Sequence, residues 1–113
     1  LNISKIKNFI KKIKNSNQII IGLGASTKGN VLLQYLKITP NQVLAIGEVN
    51  KEKFNKYTPG SNIPIIPEDK ALSMNADYYL ILPWHFKEFF ITNKKFKKRN
   101  LVFPLPKFRI IKN

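Results

Sequence analysis

Cysteine is absent from the 113 residues, and histidine occurs once, at His85. The first absence excludes a disulfide framework, a cysteine-ligated metal and a thiol nucleophile; the second excludes a self-contained histidine-rich metal site. Acidic residues are scarce, 6 Asp and Glu against 20 Lys and Arg, for a formal net charge of +14. Arginine is nearly missing too, with only Arg99 and Arg109. Arginine is the side chain suited to bidentate reading of bases and phosphates, so its scarcity argues against specific nucleic-acid recognition. No apolar run approaches the about 20 residues of a membrane span, and no signal peptide is visible. No internal repeat, low-complexity tract or linker interrupts the chain, so one domain over 1–113 is the economical reading.

What is present is enough for a core: 43% of residues are hydrophobic and 23% charged, a balance that disordered chains do not have. A single soluble α/β domain in the cytoplasm is expected. The chain opens on Leu1 rather than Met, as a piece of a longer protein would. The positive charge attracts anions: nucleic acid, anionic lipid or phosphorylated small molecules. Lys, Asn and Ile together are also what the codons of an AT-rich genome supply. Two basic runs stand out, Lys5, Lys7, Lys11, Lys12 and Lys14, then Lys94, Lys95, Lys97, Lys98 and Arg99. Each is expected on the solvated side of a helix or on a loop.

Along the chain, Ile3, Ile6, Ile10 and Ile13 fall at helical spacing with Lys between them, predicting an amphipathic helix over 3–14 with Ser4 as a cap. Ile19-Ile20-Ile21 reads as a strand buried on both faces. A glycine turn follows, and Val31, Leu32, Tyr35 and Leu36 repeat at helical spacing, so 19–37 is strand, turn, helix. Val43 to Val49 is a second strand, and 50–63 a long loop holding the turn signal Tyr57-Thr58-Pro59-Gly60. Ile63, Ile65 and Ile66 add a short extended piece. Pro67-Glu68-Asp69 opens a helix to about Asn75, with its acids suited to the helix dipole. Asp77 to Leu82 is the next strand. Pro83-Trp84-His85 ends it, and a helix carrying Phe86, Phe89, Phe90 and Phe96 follows. Leu101-Val102-Phe103 is a further strand, and Phe108 to Ile111 an edge strand. Alternation of strand and helix implies a mainly parallel sheet covered on both faces. Right-handed crossovers then gather the strand-to-helix loops 22–28, 49–60 and 83–86 on one edge, where such sheets bind ligands.

The loop Gly22-Leu23-Gly24-Ala25-Ser26-Thr27-Lys28-Gly29-Asn30 enters a helix. Its glycines permit a tight turn and close approach of a ligand. Free N–H groups and the positive dipole end at the helix start form a seat for phosphate, with Ser26 and Thr27 as hydroxyl donors and Lys28 as a mobile charge. The dinucleotide pattern GxGxxG needs glycine at 27, which is Thr, and the Walker pattern needs Lys-Ser or Lys-Thr after Gly29, where Asn30-Val31 stands. The plainer reading is a tight turn with Ser26 as a cap. Glu48 and Asn50 lie at the end of the second strand, where an acid in a dinucleotide fold binds ribose; an ordinary exposed acid is the alternative. Tyr57 and Thr58 stand where an aromatic ring with a polar tip can stack on a base or sugar, or where a turn is simply packed down. Trp84 can cover a ring face. His85 can bind or, as a lesser candidate, act in acid–base catalysis, although no second catalytic group accompanies it.

Together these residues resemble one family. Gly24-Ala25-Ser26-Thr27-Lys28-Gly29-Asn30 through Leu36, then Tyr57-Thr58-Pro59-Gly60 with Ile63-Pro64-Ile65, then Asp77-Tyr78-Tyr79 with Leu82-Pro83-Trp84-His85-Phe86, then Phe103-Pro104-Leu105-Pro106, are similar, in order and rough spacing over about 18–111, to the C-terminal domain of the sugar C-methyltransferases. The resemblance implies a Rossmann-like three-layer domain cut from a longer enzyme that uses S-adenosylmethionine to methylate a ring carbon of a nucleotide-diphosphate keto-sugar. It implies an N-terminal zinc-binding domain and a central methyl-donor-binding domain elsewhere in the parent chain. By the same resemblance Ser26, Thr27 and Lys28 face the diphosphate, with Gly24 and Asn30 in the same loop, while Tyr57, Trp84 and His85 line the nucleotide-sugar side. Many relatives carry Asp where this chain reads Glu48-Val49-Asn50. The segment alone, lacking the zinc ligands and the methyl-donor domain, is not expected to methylate. The rivals are a stand-alone Rossmann-type regulatory nucleotide-binding module and, behind it, a basic nucleic-acid binder.

Overall fold

The computed structural model describes residues 3–113. Its elements are α1 (Ser4–Asn15), β1 (Ile20–Leu23), α2 (Thr27–Tyr35), β2 (Ile46–Glu48), β3 (Ile65–Pro67), α3 (Glu68–Ser73), β4 (Tyr78–Ile81), α4 (Lys87–Thr92), β5 (Leu101–Phe103) and β6 (Arg109–Ile111). Single 3₁₀ turns cover Lys51–Lys53, Trp84–Phe86 and Lys94–Phe96.

The strands form one six-stranded sheet in the order β3-β2-β1-β4-β5-β6. All neighbours are parallel except β5 and β6. Every residue of the central β1 is buried, because helices cover both faces and β2 and β4 flank it. Alternation along the strands sorts the core into two layers. Ile20, Leu80, Leu82 and Val102 meet α1 and α2 through Ile6, Ile10, Ile13, Leu32, Leu33 and Leu36. Ile21, Leu23, Tyr79, Ile81, Leu101 and Phe103 meet α3 and α4 through Ala71, Leu72 and Phe90, with Phe96 alongside. Each fully buried aliphatic or aromatic side chain contributes about 1.5–3 kcal/mol. This is a Rossmann-like α/β architecture, and its crossover reverses between β1 and β4.

Several expectations shift. The first helix begins at Ser4, so Ile3 takes the cap position and supplies no side-chain cap. Val43–Val49 contracts to Ile46–Glu48, although Leu44 N–H already bonds the Ile20 carbonyl at 3.1 Å. Asp77–Leu82 contracts to Tyr78–Ile81, and the Asp77 carboxylate instead accepts the Ile19 N–H at 2.7 Å. The expected phenylalanine helix breaks into the turn Trp84–Phe86, α4 and the turn Lys94–Phe96. Phe90 and Phe96 pack inward with ring centroids 5.0 Å apart, whereas Phe86 and Phe89 face out. On α2 the buried face is Gly29, Leu32 and Leu33, continued by Leu36, and Val31 and Tyr35 lie on the outside. The lysines of both basic runs are exposed, but Arg99 is spent on structure, donating to the Leu72 carbonyl and the Asn75 side-chain oxygen at 2.8 Å each.

The buried Tyr79 ties β4 to α3: its hydroxyl donates to the Ala71 carbonyl at 2.8 Å and accepts the Ala76 N–H at 3.1 Å. Tyr79→Phe takes the partner from the Ala76 N–H and leaves the Ala71 carbonyl only the Met74 N–H at 3.3 Å, so it should lower unfolding free energy by about 1–3 kcal/mol in urea titration; an unchanged midpoint would show that water reaches the Ala76 N–H.

Candidate functional site

The loops after β1, β2, β4 and β5 meet at one edge of the sheet. Gly24, at φ +83°, turns the chain across the end of β1, and its N–H bonds the Gly47 carbonyl at 2.8 Å. A Cβ at Gly24 would lie 2.6 Å from Cδ of Pro83, so the Pro83 ring fills the space that a ligand was expected to use. A Cβ at Gly29 would lie 2.4 Å from Cβ of Leu82. Gly29 thus performs the close helix–strand packing that the third glycine of a dinucleotide fingerprint performs, two positions later.

Ser26 is the N-cap of α2: its Oγ accepts the Gly29 N–H at 3.1 Å, as the plainer reading expected. Thr27 and Lys28 head the helix, exposed, and their N–H groups have no acceptor among the described residues. Glu48 is not an ordinary exposed acid. It is only 8% exposed, and its carboxylate is committed to backbone. Oε1 accepts from Ala25 N at 2.7 Å, and Oε2 from Val49 N at 3.0 Å and Asn50 N at 2.8 Å. Asn50 caps the next turn, accepting the Glu52 N–H at 3.1 Å. Lys53, which sequence reasoning missed, closes on the same loop, its Nζ donating to the Ala25 carbonyl at 2.8 Å. Ala25 is therefore held at both ends, by an acid from β2 and a base five residues later. No spacing motif announces such a pair; only its nearness in the chain to Glu48 hints at it.

Thr58 is buried and holds its own turn: its hydroxyl bonds the Ser61 hydroxyl and accepts the Ile63 N–H at 2.9 Å. Tyr57 stands out, 64% exposed. A second missed residue, Gln34, anchors this loop to α2 by donating to the Pro59 carbonyl at 2.7 Å. Trp84 is half-buried and packs against both core layers. His85 is exposed, its ring 4.2 Å from that of Phe86, and it has no hydrogen bond among the described residues.

The predicted residues gather around the head of α2 without sharing one pocket. A cleft of about 330 Å³ lies between α2 and the Tyr57 loop, bordered by Ser26, Thr27, Asn30, Lys53, Lys56, Tyr57 and Thr58. In it Asn30 presents a buried side-chain oxygen with no partner among the described residues. A second cleft, also about 330 Å³, runs over the other sheet face between Gly24, Ser26, Glu48, Lys53, Glu68, Phe86, Phe89 and Lys95. Lys28 and Trp84 face a third hollow on the outer side of α2, which Thr27 also borders. In the second cleft Lys95 lies 2.6 Å from Glu68 and 3.7 Å from Asp69, and the Glu68 hydrogen bond raises the ammonium pKa above 10.5. Among the described residues no cluster of three His, Asp or Glu side chains could hold a metal ion, and no helix is long and apolar enough to cross a membrane.

The strand order, with its reversal between β1 and β4, defines this as a Rossmann-like domain. The chain belongs to the family of C-methyltransferase C-terminal domains, whose model matches residues 3–106. It is 29% identical over 111 residues to C-methyltransferase NovU of Streptomyces niveus, a match covering 96% of this chain and 26% of that protein. The chain thus spans about a quarter of the length of that relative.

Two outcomes test the site's framework. Glu48→Gln replaces one accepting oxygen with a donor facing backbone N–H, so stability should fall by about 1–3 kcal/mol and the amides of Ala25 and Asn50 should exchange faster with deuterium. For Lys95, the raised pKa means that the charged form is favoured on folding. Its contribution is present in full below pH 10.5 and is lost as the pH rises through the higher folded-state value. With Lys95 at 43% exposure the pair contributes only about 0.5 kcal/mol, so Lys95→Met should lower stability by about that amount across the neutral range and abolish the small alkaline step, the two proteins converging above the folded-state pKa of Lys95.

Proposed function

We propose that this chain is the C-terminal, substrate-binding domain of a cytoplasmic, S-adenosylmethionine-dependent C-methyltransferase acting on a nucleotide-diphosphate sugar, and that the Gly-Ala-Ser-Thr-Lys-Gly loop grips the diphosphate. The observation that carries this reading is the head of α2. Thr27 and Lys28 bring two uncommitted N–H groups, a hydroxyl and an ammonium to the point where the chain reverses across the sheet. That is where open α/β sheets receive anionic ligands, and the helix dipole adds to the attraction.

Glu48 narrows the grip. Its carboxylate already occupies the Ala25 N–H and repels a second anion there, so the diphosphate belongs on the Thr27–Lys28 side of the loop. The cleft beside the Tyr57 loop takes the rest of the nucleotide-sugar. Tyr57 offers a ring face and the bare oxygen of Asn30 accepts a donor from the ligand, relieving a buried acceptor whose isolation costs about 1–3 kcal/mol. Trp84 borders the hollow on the outer side of the α2 head, where it faces whatever closes over the substrate, and the exposed His85 follows it in the chain. The methyl donor and the zinc belong to other parts of the parent protein, and this domain contributes positioning, which by itself can matter greatly for rate.

The test is Lys28→Ala. Losing one charge-assisted hydrogen bond should weaken nucleotide-sugar affinity at least tenfold in calorimetric titration, with the thermal midpoint nearly unchanged because Lys28 is exposed. Equal affinities for the two proteins would remove the loop from the binding site.

A further inference from the structure

Helices α1 and α2 lie on the same face of the sheet but are built differently. Outside its buried isoleucines, α1 turns mainly Lys and Asn to solvent. α2 buries Leu32 and Leu33 inward and also carries Val31 and Tyr35 outward, 60% and 72% exposed. A helix that is apolar on both sides is ordinarily covered on both sides. Val31 and Tyr35 form one wall of a groove of about 450 Å³ whose other lining includes Ile3, Trp84 and Leu105, with Lys28 at its crest end. In a chain so rich in Lys, an uncharged strip of this size is a feature, and such patches mark interaction surfaces.

We propose that this groove seats the preceding domain of the C-methyltransferase, an inference that rests on the function proposed above. Three observations select that occupant. The match to NovU leaves about three quarters of that protein outside it, and the family is by description a C-terminal domain, so the remainder comes before it. A preceding domain connects through α1, and Ile3, just before α1, lies in the groove, so the tethered domain meets this surface at high effective concentration. The groove also opens beside Thr27 and Lys28, so a domain seated in it stands against the diphosphate grip, where a methyl donor held on that domain must arrive. A second copy of this chain fits less well, because a twofold dimer needs a self-complementary patch and this surface is a hollow.

The experiment compares Tyr35 in two proteins by hydroxyl-radical footprinting: the full-length chain and the 113-residue chain. Docking predicts at least fivefold slower Tyr35 oxidation in the full-length protein. It also predicts that Val31→Asp with Tyr35→Asp speeds proteolytic release of this domain from the full-length protein at least fivefold. The same pair leaves the thermal midpoint of the 113-residue chain within a few degrees, since both sites are exposed. Equal Tyr35 oxidation in the two proteins overturns docking even if the full-length protein methylates a nucleotide-sugar. Protection without such methylation leaves docking standing and removes the function. A natural product no longer than this chain overturns docking, as does Tyr35 protection that appears only when the 113-residue chain dimerises in sedimentation.

Discussion

Helix α2 lies so close to the end of β4 that no side chain fits between Gly29 and Leu82. That contact sets the height of the helix over the sheet. Everything at the functional edge follows from it: Ser26 reaches back to cap the first turn, Thr27 and Lys28 rise above the strand ends, and Gln34 lies within reach of the Pro59 carbonyl. A larger residue at position 29 would lift α2 and uncouple the glycine loop from the Tyr57 loop together.

The edge is held by charge as well as by packing. Glu48 takes the N–H of Ala25 and Lys53 its carbonyl, and the acid also gathers the amides of Val49 and Asn50. A carboxylate with several backbone N–H partners in a half-dry setting is a rigid clasp. The arrangement resembles the acid and glycine loop of a dinucleotide domain, but here the acid's hydrogen-bonding capacity is turned inward. The consequence is a loop whose shape does not wait for a ligand, with its free donors all on the helix side.

Much of the architecture was legible in the residues. The isoleucine spacing of α1, the apolar run of β1 and the alternation of element types lead directly to a parallel sheet with two helical layers. Boundaries were less legible: Asp77 and Val49 look like strand ends by composition, but one accepts the Ile19 N–H and the other follows a clasping acid. The site was legible in part. Ser26, Thr27, Lys28 and Tyr57 do surround the head of α2, whereas Thr58 is consumed by its own turn and Glu48 by the loop backbone. Lys53 and Gln34 could not be singled out among 18 lysines and many amides, because their roles depend on distances across loops.

The order of hydrophobic periods and glycine turns alone determined the fold class, since burial of each element's apolar face admits few layered solutions. Tertiary structure alone decided which donors remain available. A hydrogen-bonding group is spent or free according to what packs within about 3 Å of it, and that neighbour comes from another strand or loop. It decided likewise that Val31 and Tyr35 lie outside while Leu32 and Leu33 lie inside, because apolar residues all round one helix do not say which stripe will meet the sheet.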